Sequence, residues 1–408
     1  MRTMRGEKAA WTVLVYLAGD NNLDQSGVGD LLEMKKAGST PRVAVVAEFD
    51  RGSGRGAKRY RLRKGGTLAA DAVASLGRLD TGDPKNLLDF VRWGVTTSPA
   101  ERYALVLWNH GQGWDDTDIY ADERHRRLRP LARGRVHRAL FRPPVRRMLR
   151  GAIRKFEYRA ILLDDDAKDF LDNVEMKRVL AAAAGLIGKK LDVFGMDACL
   201  MSMAEVGYQI RESAAFTVGS EQTEPGDGWP YDRILRALAK QPEMGAKDLS
   251  ALIVREYLGS YAPEDEVTQS ACDLAGADAL ASAVAALAGA LTAALGDEVQ
   301  RGQILAARSR VQAYEVPDNV DLADLCVLLA EAMPGTAVAE RSRAVVEAVE
   351  RRYVVAQGSK GTDLAHSHGV ATYFPTMAVS PLYARLDWAQ ATGWGRFLEA
   401  YLRAVRGR

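Results

Sequence analysis

Short apolar runs alternate with amphipathic segments along the first 240 residues. Runs of strand length occur at 11–18, 42–49, 103–108, 191–196 and 215–219, and most of them are followed by apolar residues at helical spacing. This alternation of strands and helices predicts a mostly parallel sheet with helices on both faces. We therefore expect an α/β fold in which several parallel strands end along one common edge.

The sequence changes character after Pro242, where alanine becomes frequent and helical spacing dominates. We expect region 1–240 to form the α/β domain and region 241–408 to form an Ala-rich helical extension packed on it. The remaining predicted elements are helices at 23–36, 84–93, 174–184, 200–212, 275–297, 337–352 and 388–405, a hairpin strand at 58–63, and strands at 159–163 and 368–375.

Composition limits the class of protein. Of the 408 residues, 47% are hydrophobic and 26% are charged, which is enough for a large core. No segment approaches the roughly 20 apolar residues of a membrane helix, and the first residues lack the apolar core of a secretion signal. Three cysteines are too few for a disulfide framework, and an odd number fits a reducing compartment. We expect a globular cytoplasmic protein, unless a leader has been removed.

Two of the predicted strands stop at a reactive side chain. The run 103–108 is followed after one residue by His110, and the run 191–196 is followed after two residues by Cys199. An open α/β sheet assembles its chemistry at the carboxyl ends of parallel strands. We therefore interpret these two residues as a candidate base and nucleophile. The other cysteines, Cys272 and Cys326, stand among apolar neighbours and are predicted to be core residues.

Acyl transfer by a thiol requires such a pair. A thiol attacks a carbonyl only as the thiolate, and a nearby imidazole can take its proton and give it to the leaving amine. The helix expected from Leu200 would favour a negative sulfur at Cys199 through its amino-terminal dipole. Gly111 lets the backbone pass close to a substrate, so its amide and that of Cys199 are candidate oxyanion-hole donors. The alternative is that His110 and Cys199 are structural residues, as single residues of these types usually are.

Five blocks of this sequence resemble, in order, those of the clostripain-like cysteine peptidases, the C11 peptidase family. The blocks are 11–23 (WTVLVYLAGDNNL), 107–114 (LWNHGQGW), 196–201 (MDACLM), 220–231 (SEQTEPGDGWPY) and 369–375 (GVATYFP). The resemblance implies a caspase-like three-layer α/β/α sandwich whose catalytic domain is region 1–240. It also implies an endopeptidase that requires no cofactor, in which His110 and Cys199 form the catalytic dyad and the cleaved bond follows arginine or lysine.

A basic substrate side chain needs an acidic pocket, because a guanidinium pairs best with a carboxylate in a planar arrangement. Asp197 lies two residues before Cys199, so the same turn can carry it into the S1 pocket, which takes the residue before the scissile bond. Glu221, Glu224 and Asp227 are further candidates for this pocket. The resemblance favours Asp197, and the alternative is that Asp197 caps the helix after Cys199.

The segment 123–159 is rich in arginine, and without it the net charge of +2 would become negative. The resemblance implies an inactive precursor that is cut at a basic residue in this segment, by the enzyme itself or by an upstream protease. The candidate positions are Arg126, Arg127, Arg133, Arg135, Arg146 and Arg147. The alternative is a patch for nucleic acid or an acidic partner, since arginine clusters also bind phosphates.

Other patterns carry weaker signals. The acidic run 164–172 suggests a structural Ca²⁺ ion, but no glycine provides the sharp turn of a calcium loop, which favours an exposed turn. His366 and His368 share one strand face without a third ligand nearby, so we interpret them as structural. The turn after Gly19 lacks the phosphate-binding signatures of a nucleotide domain. We expect protein or peptide substrates and no membrane partner, with a catalytically silent caspase-like interaction module or a nucleic-acid-binding protein as alternatives.

Overall fold

The structure is a computed structural model that describes residues 8–52, 54–117 and 161–407. The predicted processing segment 123–159, with all six candidate cleavage arginines, lies outside the described residues. The cleavage positions therefore stay predictions.

Thirteen strands and thirteen α-helices make up the described chain. The strands are β1 (Ala9–Gly19), β2 (Val43–Arg51), β3 (Ala57–Arg61), β4 (Ala72–Gly77), β5 (Ala100–Trp108), β6 (Ile161–Asp164), β7 (Asp169–Leu171), β8 (Leu191–Asp197), β9 (Ala214–Gly219), β10 (Thr268–Asp273), β11 (Asn319–Asp321), β12 (Val354–Ser359) and β13 (Ala371–Tyr373). The helices are α1 (Asp24–Ala37), α2 (Leu68–Asp71), α3 (Pro84–Thr97), α4 (Asn173–Ile187), α5 (Ala204–Ile210), α6 (Tyr231–Lys240), α7 (Ala246–Ser260), α8 (Ala277–Ala294), α9 (Glu298–Arg310), α10 (Leu322–Ala332), α11 (Ala337–Ala348), α12 (Asp387–Thr392) and α13 (Trp394–Arg406).

Nine strands form one central sheet in the order β12-β10-β9-β8-β5-β1-β2-β3-β4. The five central strands, β9, β8, β5, β1 and β2, are parallel, whereas the two strands on each side are antiparallel. The parallel strands of the predicted sheet form its centre, and antiparallel strands extend it at both edges. Helices cover both faces and bury two separate apolar clusters against the sheet, as expected for a three-layer α/β/α sandwich.

The strands at the centre of the sheet are buried on both faces, which explains their continuous apolar sequences. In β1, ten of the eleven residues are buried, and in β5 the last six residues are all buried. The register places Leu17 of β1 beside Trp108 of β5, and Trp108 beside Asp197 of β8. Because these strands are parallel, the residues that follow them emerge at the same edge, which we call the carboxyl edge.

Region 241–408 supplies part of the same sheet. Its strands β10 and β12 extend the sheet beyond β9, so the boundary predicted at residue 240 does not separate two sheets. The returning strand predicted at 368–375 is shorter, Ala371–Tyr373, and pairs with β11 in a small separate sheet. The amide of Ala371 donates to the carbonyl of Ser202, 2.9 Å away, which fastens this segment beside Cys199.

Three predicted elements differ from the structure. The strand predicted at 159–163 is described from Ile161 onward and forms a hairpin with β7 outside the central sheet. The helix expected from Leu200 begins at Ala204, because Leu200 adopts a left-handed conformation with φ of 63°. The final helix is divided into α12 and α13 by Gly393, whose φ is 65°.

One helix corrects the expectation that no segment is apolar enough to cross a membrane. The segment Leu274–Ala294 has 21 residues and a mean hydropathy of 1.7, which meets the length and composition of a membrane span. Half of its most apolar stretch is buried inside the protein. It forms α8, whose buried residues Leu280, Val284, Leu287 and Leu291 recur at helical spacing and belong to the main apolar cluster.

Candidate active site

His110 and Cys199 follow two neighbouring parallel strands at the same level. Trp108 and Asp197 are register partners, and each of the two candidate residues comes two positions after its strand partner. The amide of Asn109 continues the pairing with a hydrogen bond of 3.3 Å to the carbonyl of Asp197. A Cβ atom on Gly111 would lie only 2.6 Å from the carbonyl oxygen of Cys199. The fold therefore brings the two predicted segments into direct contact.

The His110 ring is held by the loop that follows β1. Its Nε2 atom lies 2.7 Å from Oδ1 of Asn22, a partner that the sequence analysis missed. An amide oxygen accepts hydrogen bonds, so Nε2 carries the ring proton and Nδ1 keeps a lone pair. Burial lowers the pKa of His110 to about 4, which keeps the imidazole neutral at pH 7. A neutral imidazole can act as a base.

Cys199 lies half-buried beside the loop 220–224. The amide of Glu224 donates to its Sγ atom at 3.3 Å, and the amide of Leu200 donates to the carbonyl of Gln222 at 3.1 Å. A hydrogen bond to sulfur favours the thiolate. The expected support from a helix dipole is wrong, because α5 begins five positions after Cys199. The amide of Glu224, and not a helix terminus, is therefore the group that favours a negative sulfur at Cys199.

The other two cysteines are core residues, as predicted. Cys272 and Cys326 are 2% and 0% exposed. Burial raises the pKa of the Cys272 thiol to about 12 and that of Cys326 further still. A thiol with such a pKa stays protonated at neutral pH, so neither is a nucleophile.

Asp197 is buried next to Cys199, with 4% of its surface exposed. Its Oδ2 atom accepts hydrogen bonds from the hydroxyl of Tyr231 at 2.8 Å and from the amide of Trp229 at 3.4 Å. The alternative role as a helix cap is wrong, because these donors belong to the segment after β9 and not to α5. Burial raises the pKa of Asp197 to about 6, so its charge is weakly compensated by the protein.

More carboxyl groups gather around Asp197. Glu224 is half-buried and accepts a hydrogen bond from Gln269 at 3.2 Å, and burial followed by the charge of Asp197 holds its pKa well above the usual range. Asp227 is exposed on the same loop. Asp30 of α1, which the sequence analysis missed, accepts a bond of 2.6 Å from the indole of Trp108, and burial together with Asp197 raises its pKa to about 9. The sequence signal for Asp30 was its position, because it is an acidic residue on the face of α1 that carries the buried residues.

Glu221, the remaining S1 candidate, is engaged elsewhere. It is 2% exposed, and its two carboxylate oxygens accept hydrogen bonds from the hydroxyl of Tyr314 at 2.8 Å and from the amide of Gly369 at 3.1 Å. A carboxylate whose two oxygens are both bonded inside the protein is not available to a substrate. The structure gives Glu221 the role of joining the loop 220–224 to the returning segment, which corrects its assignment to the S1 pocket.

The acidic run 164–172 provides no ligand set for calcium. Both carboxylate oxygens of Asp164 accept hydrogen bonds from the protein, from the amides of Asp166 and Ala167 and from the amide and hydroxyl of Thr81. Within residues 8–52, 54–117 and 161–407, no group of three His, Cys, Asp or Glu side chains could hold a metal ion.

The two histidines of the returning segment are not a metal pair either. His366 is exposed, whereas His368 Nδ1 lies 3.0 Å from the buried carboxylate of Asp321, which raises the pKa of His368. An ion pair with a buried acid is a structural role, as interpreted from the sequence.

Comparisons with known proteins agree on one family. The sequence model of the clostripain family, peptidase family C11, matches residues 15–126 and 152–401. Clostripain from Hathewaya histolytica is 24% identical over 293 residues, which are 62% of this chain and 49% of that protein. The match thus spans about half the length of the curated relative.

Solved structures share the fold. One is a secreted C11 cysteine protease from Bacteroides thetaiotaomicron in complex with an irreversible peptide inhibitor, with a TM-score of 0.66 and 20% identity. Another is an inactive zymogen C11 protease from Parabacteroides distasonis, with a TM-score of 0.67 and 19% identity. Each comparison covers 95% of this chain and 99% of the other.

Proposed function

This chain belongs to the clostripain family of cysteine peptidases, and from that premise we propose that it hydrolyses peptide bonds with His110 and Cys199 as its catalytic dyad. The observation that carries the proposal is the matched register of β5 and β8, which lets both residues leave neighbouring strands at the same level. The close approach of Gly111 to the carbonyl of Cys199 supports it further.

The proposed mechanism follows from the hydrogen bonds of the site. Nδ1 of His110 takes the proton of the Cys199 thiol, and the thiolate attacks the carbonyl carbon of the substrate. The amides of Gly111 and Cys199 stabilise the oxyanion that forms on the carbonyl oxygen. The imidazolium then gives its proton to the leaving amine, which leaves an acyl group on sulfur. Water attacks this thioester with His110 again acting as the base, and the acid product departs.

Asn22 has a positioning role in this mechanism. Its bond to Nε2 fixes the tautomer of His110, in which the proton is on Nε2 and the lone pair is on Nδ1. The same bond stabilises the imidazolium after proton transfer, because both ring nitrogens then carry protons and Asn22 already accepts one of them.

We propose further that the S1 pocket accepts arginine or lysine through Asp197, Glu224 and Asp227, with Asp30 beneath them. The raised pKa values of Asp197, Glu224 and Asp30 support this specificity, because they show that burial among other acids leaves the charged forms of these groups poorly stabilised. A guanidinium or ammonium group in the pocket would supply the missing charge. Glu221 is not part of this proposal.

The test is a fluorogenic panel with arginine, lysine, aspartate or alanine before the scissile bond. We expect turnover only of the two basic substrates by the wild type and none by Cys199→Ala. Cys326→Ala is the matched control, because it removes a buried thiol that has no role in the reaction. An arginine-directed acyloxymethyl ketone should label wild-type Cys199. A folded wild type that has been cut within 123–159 and still neither turns over the panel nor reacts with this reagent would instead be a silent interaction module.

Activation is the third part of the proposal. We propose that the chain is made as a zymogen and is cut within 123–159, at one of the candidate arginines, in cis or by an upstream protease. Wild type and Cys199→Ala should be incubated in parallel and compared on a denaturing gel. Two fragments from the wild type alone indicate cleavage in cis or between copies. Intact protein in both lanes, with activity appearing only after an added trypsin-like protease, assigns the cut to another enzyme.

A further inference from the structure

A second group of acidic side chains lies at the carboxyl edge, outside the site described so far. They surround a cavity of about 240 Å³ near the ends of β1 and β2. We call it the Asp20 pocket, and its charged lining residues are Asp20, Asp50, Asp80, Asp166, Arg51 and Arg78.

Within the described residues, the two innermost carboxylates of this pocket contact an acid and a backbone amide. Asp20 is 8% exposed and Asp50 is 2% exposed, yet both line the cavity. Among the described residues, the side chain that contacts the Asp20 carboxylate is another acid, Asp166, and Asp50 accepts a bond only from the amide of its neighbour Arg51. Burial, with further repulsion from nearby acids, raises the pKa of Asp20 to about 7 and that of Asp50 to about 8. The pocket therefore suits a positive charge, which its described lining does not place on these two carboxylates.

The arginines at the pocket do not supply this charge. Arg51 directs its Nε and Nη2 atoms to the carboxylate of Asp24, at 2.9 and 2.8 Å, and so neutralises a different acid. Arg78 is exposed at the rim. Buried carboxylates that face a cavity are costly in their charged form, and a cation that enters the cavity stabilises that form.

The size of the cavity favours an organic cation over a metal ion. A water molecule occupies about 30 Å³ in the liquid, so 240 Å³ has room for a guanidinium or ammonium group with part of its stem. In the part of the chain that the structure describes, no three side chains converge as metal ligands. A basic side chain satisfies both the charge and the volume of the pocket.

The position of the pocket relative to the dyad follows from the strand order. Cys199 follows β8, His110 follows β5, Asp20 follows β1, and Asp50 lies near the end of β2, so the pocket lies beyond His110 as seen from Cys199. Asn22, which holds the His110 ring, is two residues from Asp20. Three strand spacings of about 4.8 Å separate β8 from β2, a distance that three extended residues and a long side chain can span.

The proposed mechanism determines which side of the scissile bond lies toward the Asp20 pocket. His110 must protonate the leaving amine, so the residues after the scissile bond lie on the His110 side of Cys199. The Asp20 pocket lies on that side, whereas Asp197 and its neighbouring acids belong to the β8 side.

We propose that the Asp20 pocket is a second subsite for a basic side chain, on the leaving-group side of the scissile bond. The enzyme thereby selects peptides that carry arginine or lysine before the cleaved bond and again among the first three residues after it. This inference rests on the proposed function and extends it from single basic residues to paired basic residues.

Two substrate series separate the inference from the proposed function. The first is a peptide ending in arginine on a coumarin amide, which has no residue after the scissile bond. The second is a set of internally quenched peptides with arginine scanned through the three positions after the bond, each compared with alanine. We expect cleavage of the first substrate, and a kcat/KM at least about tenfold higher for the best arginine position than for alanine.

Asp50→Asn should reduce that arginine-to-alanine ratio to about one, because it removes a buried charge while keeping the shape of the side chain. Asp166→Asn changes an exposed residue of the pocket and should lower the ratio as well. It replaces Asp50→Asn in the test if thermal melting shows that Asp50→Asn does not fold. Glu340→Gln is the control, since it makes the same change of charge on an exposed side chain of α11 and should leave the ratio unchanged.

The outcomes are distinct. If the coumarin substrate is not cleaved by protein that has been cut within 123–159, the proposed function itself fails. If it is cleaved but arginine and alanine perform equally after the bond, or if both pocket variants keep the wild-type ratio, the second subsite is refuted and the peptidase stands. Calorimetric titration of the protein with CaCl₂ alone completes the test, because calcium binding that Asp50→Asn abolishes would make the pocket an inorganic cation site and overturn the inference.

Discussion

The carboxyl edge and the Ala-rich helical region place cysteine in opposite environments. At the edge, Cys199 is half-buried and receives an amide hydrogen bond from Glu224. In the helical region, Cys326 of α10 is fully buried among apolar side chains, which raises the pKa of its thiol. The comparison teaches that a cysteine at a strand end keeps polar backbone groups in contact with its sulfur, as a nucleophile requires, whereas a cysteine inside a helical core does not.

The acids of the two regions differ as well. The edge buries Asp30, Asp197 and Asp50 with raised pKa values, which costs stability, while α8 buries only leucine, valine and alanine. Burial of apolar side chains is the main favourable contribution to folding. We therefore expect substitutions at the edge to change catalysis and substitutions in the helical region to change stability.

The cysteine pair gives the largest expected effect. Cys199→Ala should lower kcat/KM by at least about 10⁴-fold, because loss of the nucleophile leaves no covalent pathway. Its thermal stability should change little, since the side chain is only half-buried. Cys326→Ala should keep full activity and lose about 1–2 kcal/mol of unfolding free energy through the cavity it creates. Equal losses of activity in both variants, at equal folded fraction, would contradict the division between the regions.

Asp197→Asn should lower kcat/KM for an arginine substrate by about 10²–10³-fold, because a guanidinium would lose a buried, charged acceptor. The hydrogen bonds from Tyr231 and Trp229 can be kept by the amide oxygen, so the fold should persist. Steady-state kinetics and circular dichroism check this. A variant with wild-type preference for arginine would remove Asp197 from the S1 pocket.

Two glycines provide the third comparison. Gly111→Ala should lower kcat by about 10²-fold, because the new Cβ would meet the carbonyl of Cys199 and displace an oxyanion-hole amide. Gly289→Ala on the exposed side of α8 meets open space and should stabilise the protein by up to about 1 kcal/mol without changing kcat. Kinetics and urea unfolding of both variants measure the two effects. Full activity of Gly111→Ala would exclude that amide from the reaction.

The smallest effect concerns pH. The raised pKa of Asp197, about 6, means that its charge disappears as the pH falls through 6, so KM for arginine substrates should rise there. The lowered pKa of His110, about 4, means that the base stays neutral over the same range, so kcat should fall only at lower pH. Separate pH profiles of kcat and KM test this order. If kcat fell near pH 6 together with the rise in KM, one group would account for both titrations.

Much of the fold could be predicted from local patterns. The buried strands, the hairpin strand β3, and helices α1, α3 and α4 agree with the sequence, because apolar spacing and capping residues such as Asp83 act over a few residues. The errors lie where a tertiary contact overrides the pattern. The segment after Cys199 turns with Leu200 in a left-handed conformation because it is bonded to the loop 220–224, which delays the helix.

The sequence by itself determined the five central strands of the sheet, the family, and the two candidate catalytic residues at strand ends, because each leaves a signal within about ten neighbouring positions. Only the tertiary structure decided what surrounds them. Asn22 meets His110 across 88 positions, Glu224 meets Cys199 across 25, and Glu221 is drawn away from the S1 pocket by Gly369 across 148. No periodic pattern records such contacts, since they arise when strands that are distant in sequence are laid side by side and their loops share one edge.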